Sequence, residues 1–141
     1  MDPRHVQLVQ HSFARASRIG AHVAATFYSE LFAIDPTLRP LFKGDMIALG
    51  VKLMSMLEYV VTRLDHPESM LPEVRALAVR HIDYGVESHH YATAGTALLR
   101  TLRHELGADF TPETRAAWVE AYQLLSDEMR EAAYGAAPRS R

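Results

Sequence analysis

The chain is 141 residues long, 48% of them hydrophobic, with a formal net charge of −2 and no cysteine. That length suits one domain with a sizeable core of its own. Near-neutral charge and scattered basic residues leave no electrostatic footprint for nucleic acid or an anionic membrane, and the lack of thiols excludes disulfides, iron–sulfur clusters and cysteine nucleophiles.

The start, Met1-Asp2-Pro3-Arg4-His5, lacks a basic region followed by an apolar run, and nowhere do about 18 uncharged apolar residues occur together. The expectation is a soluble, unexported, cytoplasmic protein. From Pro3 to about Arg18, Val6, Leu8, Val9, Phe13 and Ala16 fall near helical spacing, with Pro3 tolerated in a first turn. A second helix is predicted from Gly20 to Ile34, where Val23, Ala24, Phe27, Tyr28, Leu31 and Phe32 make a wide apolar face. Asp35-Pro36 is a cap followed by proline, opening a short turn through Leu41 and Phe42. After a connection at Lys43-Gly44-Asp45, the spacing predicts a helix over Met46 to Leu64, with Leu49, Leu53, Met56, Leu57 and Val60 on one face.

Asp65 to Ser69 reads as a loop, and Leu71-Pro72-Glu73 opens a helix that ends near Gly85. Tyr91 to Leu106 follows, with Ala94, Leu98, Leu99 and Leu102 inward and Gly107 as C-cap. Thr111-Pro112-Glu113 starts a last helix through Trp118, Tyr122, Leu125 and Met129 to about Tyr134. Residues 1–134 form the domain, and 135–141 are expected to fray. No period-two alternation competes, so the fold class is all-α: six substantial helices plus one short turn.

Val74, Leu77, Ala78 and His81 share one stripe, so a single imidazole ends an otherwise apolar face. Two readings are open: a core histidine bonded to a backbone carbonyl, or a metal or heme ligand. The adjacent His89 and His90 point different ways, and His5, His11, His22, His66 and His104 lack the paired spacing of a zinc site. They read as surface residues, with His90 near the edge of a heme if His81 ligates one. Glycine-rich phosphate loops, nucleophile elbows and paired carboxylates are absent.

Phe27-Tyr28 with Leu31-Phe32, then Asp35-Pro36-Thr37-Leu38-Arg39-Pro40-Leu41-Phe42, form one motif set. Val79-Arg80-His81 through Gly85, followed by His90-Tyr91 with Gly95 and Leu98-Leu99, form a second. Thr111-Pro112-Glu113 to Trp118 and Tyr122 form a third. In this order the sets resemble the globin family, specifically bacterial single-domain globins and the heme domains of flavohemoglobins. The resemblance covers about Val6 to Met129 and implies a globin fold enclosing heme b.

It also implies His81 as the proximal iron ligand, Phe42 as the aromatic packed on the porphyrin, and Tyr28 as the polar residue over the distal side. Leu49 matches the distal gate and Leu53 its neighbour one turn on; four residues apart, they share a helix face. This branch commonly has glutamine at the gate, whereas Leu49 offers no donor. Tyr91 matches a tyrosine that supports the proximal histidine, but its glutamate partner falls on Ala133. Lys52 and Arg80, beside pocket positions, are candidates for the propionates, with Tyr84 a third. Gly50 lets its helix cross close to Ala24.

The function expected from this resemblance is reversible binding of O2, CO and NO at a five-coordinate ferrous iron, with Tyr28 as distal hydrogen-bond donor. One alternative is an enzyme, a nitric oxide dioxygenase turning bound oxygen and nitric oxide into nitrate with a separate reductase. The other is a heme-free globin-fold sensor or interaction module. Peroxidase-like chemistry needs a distal acid–base group that Leu49 cannot supply.

Overall fold

Among the described residues, three of six α-helices begin on a side-chain oxygen. Asp2 accepts the Arg4 amide at 2.9 Å and opens α1, Pro3–Ala16. Asp45 accepts the Ile47 amide at 2.9 Å and opens α3, Met46–Val61. Thr111 accepts the Thr114 amide at 3.1 Å and opens α6, Pro112–Tyr134. Each cap satisfies one of the amides that a helix leaves orphaned at its start. The others are α2 (Gly20–Ile34), α4 (Leu71–Asp83) and α5 (His90–Leu106). The computed structural model describes residues 1–135 and contains no strand among them. Beyond Gly135, the segment expected to fray lies outside the described residues.

The predicted helices are present, with shorter ends and more one-turn pieces than expected. α1 stops at Ala16 and tightens into a 3-10 turn at Ser17–Ile19. α3 stops at Val61 rather than Leu64: the Arg63 and Leu64 amides turn to the carbonyls of Val60 and Val61, three residues back, at 3.1 and 3.4 Å, while the Arg63 side chain donates to the Tyr59 carbonyl at 3.2 Å. The expected loop at 65–69 is partly a 3-10 turn, Pro67–Met70, and the expected turn after Asp35 is a 3-10 helix over Pro36–Leu41. Gly107 adds a fourth such piece, Gly107–Asp109.

α2 packs on α5 and α3, while α1 and α4 both pack on α6. The crossing of α2 and α3 is close: a Cβ at Gly50 would lie 3.0 Å from the Ala24 Cβ. Gly95 performs the same service for α5 and α6, since a Cβ there would lie 2.6 Å from Cε2 of Tyr122. That ring cannot swing freely, because its hydroxyl donates to the Tyr91 carbonyl at 2.6 Å. Gly95→Ala is therefore expected to be destabilising: overpacking costs about 1–3 kcal/mol against a helix-propensity gain of about 1 kcal/mol. A urea midpoint equal to or above the parent's would contradict this reading of the contact.

No helix among the described residues is long and apolar enough to cross a membrane. α4 leans on α6 and the turn before it rather than on α3. The space between α3 and α4 is thereby left for the site.

Candidate functional site

A cavity of about 210 Å³ lies at the centre of the fold, and every helix except α1 contributes to its wall. Phe27, Tyr28 and Leu31 come from α2; Leu53, Met56 and Leu57 from α3; Leu77 and His81 from α4. Tyr91, Ala94 and Leu98 of α5, and Tyr122, Leu125, Ser126 and Met129 of α6, close it from below. A larger groove, about 680 Å³, lies outside the crossing of α2 and α3 and shares Tyr28 with the cavity. Small and apolar side chains line it with Arg39 as the one charged residue, so it holds no imidazole or carboxylate. The chemistry is in the smaller cavity.

His81 ends the apolar stripe of α4 and reaches the cavity, and its Nδ1 donates to the Leu77 carbonyl one turn back at 2.8 Å. That bond fixes the proton on Nδ1 and leaves the Nε2 lone pair free. Burial, with a smaller push from Arg80, holds the ring's pKa below its ordinary value against the pull of the Leu77 bond. The imidazole is thus neutral, the form a metal needs. A carbonyl-bonded core histidine and a ligand histidine are therefore the same residue here, because the two nitrogens do different jobs.

Across the cavity, Tyr28 is nearly closed off from solvent and its hydroxyl donates to the Leu49 carbonyl at 3.3 Å. Burial pushes its phenol up to about 12, so it remains a proton donor near neutral pH. Its ring is held edge-on by Phe27 at 5.3 Å and Phe42 at 5.4 Å, and stacks on Phe32 at 6.2 Å. Phe42, also edge-on to Phe32 at 5.3 Å, is fixed as part of this cluster.

Of the candidate residues, Tyr28, Phe42, Leu53, His81 and Tyr91 line the cavity together. Leu49 does not line it and contributes its carbonyl instead. Lys52 and Arg80 are exposed and outside the lining; Tyr84, 56% exposed, is also outside, with its ring 5.9 Å from that of His81. One cavity residue escapes a reading of the sequence. Ser126, three residues before Met129 and four after Tyr122, shares their inward face, a spacing that could have identified it. His90 also lines the cavity, with its Nδ1 accepting the Glu87 amide at 2.9 Å.

The Tyr91 hydroxyl, in a side chain only 6% exposed, has no hydrogen-bond partner among the described residues. Burial first, and the neighbouring Tyr134 second, push its phenol up to about 12. A buried donor without a partner costs about 1–3 kcal/mol, which points to a polar atom supplied from outside the chain. The donor set suits a planar apolar cofactor with a central metal: one free imidazole nitrogen, aromatic and aliphatic walls, and three phenols, of which that of Tyr122 is committed to the Tyr91 carbonyl. The cavity is smaller than the roughly 300–1,000 Å³ usual for small-molecule sites. α3 and α4, which flank it, pack mainly on other helices rather than on each other.

Comparison with known proteins agrees with this arrangement. The Globin family model matches residues 25–129. The chain is 34% identical over 127 residues to a flavohemoprotein of Bordetella parapertussis, covering 86% of this chain and 32% of that protein. It is 29% identical over 132 residues to a flavohemoprotein of Deinococcus radiodurans, covering 92% of this chain and 33% of that one. It thus spans about a third of the length of these curated relatives. A solved Rhodothermus marinus protein, an engineered carbene transferase described as a candidate nitric oxide dioxygenase, superposes with a TM-score of 0.84 at 26% identity. That likeness covers 99% of this chain and 96% of the other. With the family match running from α2 into α6 over the helices that wall the cavity, the chain belongs to the globin family.

Proposed function

We propose that this globin holds heme b and binds O2, CO and NO reversibly, with His81 as the iron ligand and Tyr28 as the hydrogen-bond donor across the cavity. The observation that carries the reading is the His81 ring: Nδ1 is committed to the Leu77 carbonyl, and the free Nε2 belongs to a neutral imidazole lining an apolar cavity. Heme held by His81 would supply an iron able to take up a diatomic gas. Phe42 offers the ring face or edge on which a porphyrin packs, and Leu53, Met56 and Leu57 exclude water from the distal wall. Titration of the purified protein with hemin tests this: one equivalent is taken up with a sharp Soret band. A featureless titration would leave only the fold and favour the heme-free module.

Tyr28 then discriminates among ligands. Its hydroxyl can leave the long bond to Leu49 for a bound molecule bearing negative charge, a hydrogen bond contributing roughly 1.5–3 kcal/mol. Tyr28→Phe is expected to speed dioxygen release about tenfold or more, since 1.4 kcal/mol is a factor of ten, with carbon monoxide release almost unchanged. Equal effects on the two gases, or none, would remove Tyr28 from this role.

A second reading, nitric oxide dioxygenase, is favoured by the description of the Rhodothermus protein. It requires a reductase to return electrons after each cycle. Many nitrates formed per heme with a flavoprotein reductase and a nicotinamide donor would support it, and one per heme would leave the binding reading in place.

A further inference from the structure

The cavity contains two imidazoles with opposite hydrogen bonding. His81 gives its Nδ1 proton to a carbonyl and keeps a lone pair on Nε2. His90 does the reverse: its Nδ1 accepts the Glu87 amide, so the neutral ring carries its proton on Nε2. One ring is built as a ligand and the other as a donor. Among the described residues lining the cavity there is no lysine or arginine, and His81 is committed through both nitrogens on the reading above. Beside the hydroxyls of Tyr28, Tyr91, Tyr122 and Ser126, His90 is left as the nitrogen donor that can meet an anionic group with a charge-assisted bond.

Two further observations point the same way. α5 begins at His90 with no side-chain cap and no acidic residue in its first turn, so the positive end of its dipole is uncompensated there. The orphaned Tyr91 hydroxyl in the next position marks the cavity as built around something polar as well as apolar. The nearby acid, Asp35, is engaged elsewhere, since the Thr37 hydroxyl is the main cause of its lowered pKa, ahead of the smaller effects of His90 and His89. His89, its ring 4.2 Å from that of His90, is exposed and outside the lining.

We propose that His90 anchors a carboxylate on the edge of the cavity's ligand, its Nε2–H donating to a porphyrin propionate. This takes over the task for which the sequence suggested Lys52 and Arg80, and it rests on the heme reading.

Metal-free protoporphyrin IX and its dimethyl ester separate the carboxylate from iron ligation, and binding of both is read by fluorescence. The wild type is expected to bind the diacid about tenfold more tightly than the ester, as one charge-assisted bond implies. His90→Ala brings the diacid down to the ester's affinity and leaves the ester unchanged, while Lys52→Ala and Arg80→Ala keep the preference. In nitrogen-15 NMR of the wild-type protein, the His90 Nε2 signal shifts with the diacid and not with the ester, which tests the contact without a variant. A preference that survives His90→Ala, or disappears with Lys52 or Arg80, overturns the proposal, as does an Nε2 signal indifferent to the diacid. Hemin uptake with no preference for the diacid overturns it while leaving the heme reading intact. Failure of both hemin and porphyrin to bind overturns both.

Discussion

His81→Ala is expected to lower the affinity for hemin by more than about 100-fold, the upper end of what removing a mere supporting partner of a metal ligand costs. The substitution removes the Nε2 lone pair, and among the described residues no other imidazole in the cavity has its Nε2 unprotonated, because the His90 hydrogen bond puts the proton there. It also frees the Leu77 carbonyl, which already serves its place in α4, so helix content is expected to stay unchanged by circular dichroism. Imidazole added to the solution restores much of the affinity by entering the vacated space, a rescue that a general folding defect would not show. Retention of hemin at wild-type affinity would mean that another side chain ligates the iron.

Trp118→Ala is expected to produce the largest loss of stability, about 3–5 kcal/mol, the usual range for truncating a buried tryptophan. The indole is 2% exposed, its N–H donates to the Ser12 hydroxyl at 2.8 Å, and its ring lies 6.4 Å from that of Phe13. Ser12 in turn donates to the Leu8 carbonyl at 2.6 Å, so the chain from α6 to α1 is satisfied from end to end. Truncation leaves a void that α1 and α6 cannot close without shifting, because Val9 and Leu102 are already fully packed. Urea denaturation reads the effect. Trp118 does not line the cavity, so hemin affinity at low urea should change far less than stability. A loss under about 1.5 kcal/mol would show that the site collapses without a void.

Helix starts are legible in the sequence because they are local. Asp2, Asp45 and Thr111 each reach an amide two or three residues on, and Pro3 and Pro112 fit only a first turn. The convergence of Tyr28, Phe42, Leu53 and His81 is legible through helical spacing and the family resemblance. What escapes depends on how helices cross. The close approach permitted by Gly50 and Ala24 decides that the Tyr28 hydroxyl meets the carbonyl of Leu49 rather than its side chain, and spacing along one helix cannot encode that. The donor role of His90 escapes for a related reason: the Glu87 amide, three residues back in a loop, fixes which of its nitrogens is the donor. Lys52 and Arg80 neighbour pocket residues in sequence, yet a neighbour on a helix is turned about 100° away, and both face solvent.

The measurement that bears most directly on the central claim is the visible absorption spectrum of the heme-loaded protein after reduction with dithionite. One broad ferrous band that sharpens and shifts on adding carbon monoxide is the predicted result, because His81 would be the sole internal ligand facing a dry wall. Sharp split bands before any gas is added would contradict the account: a second side chain would then close the sixth position, and the cavity beneath Tyr28 would not be free to take a ligand.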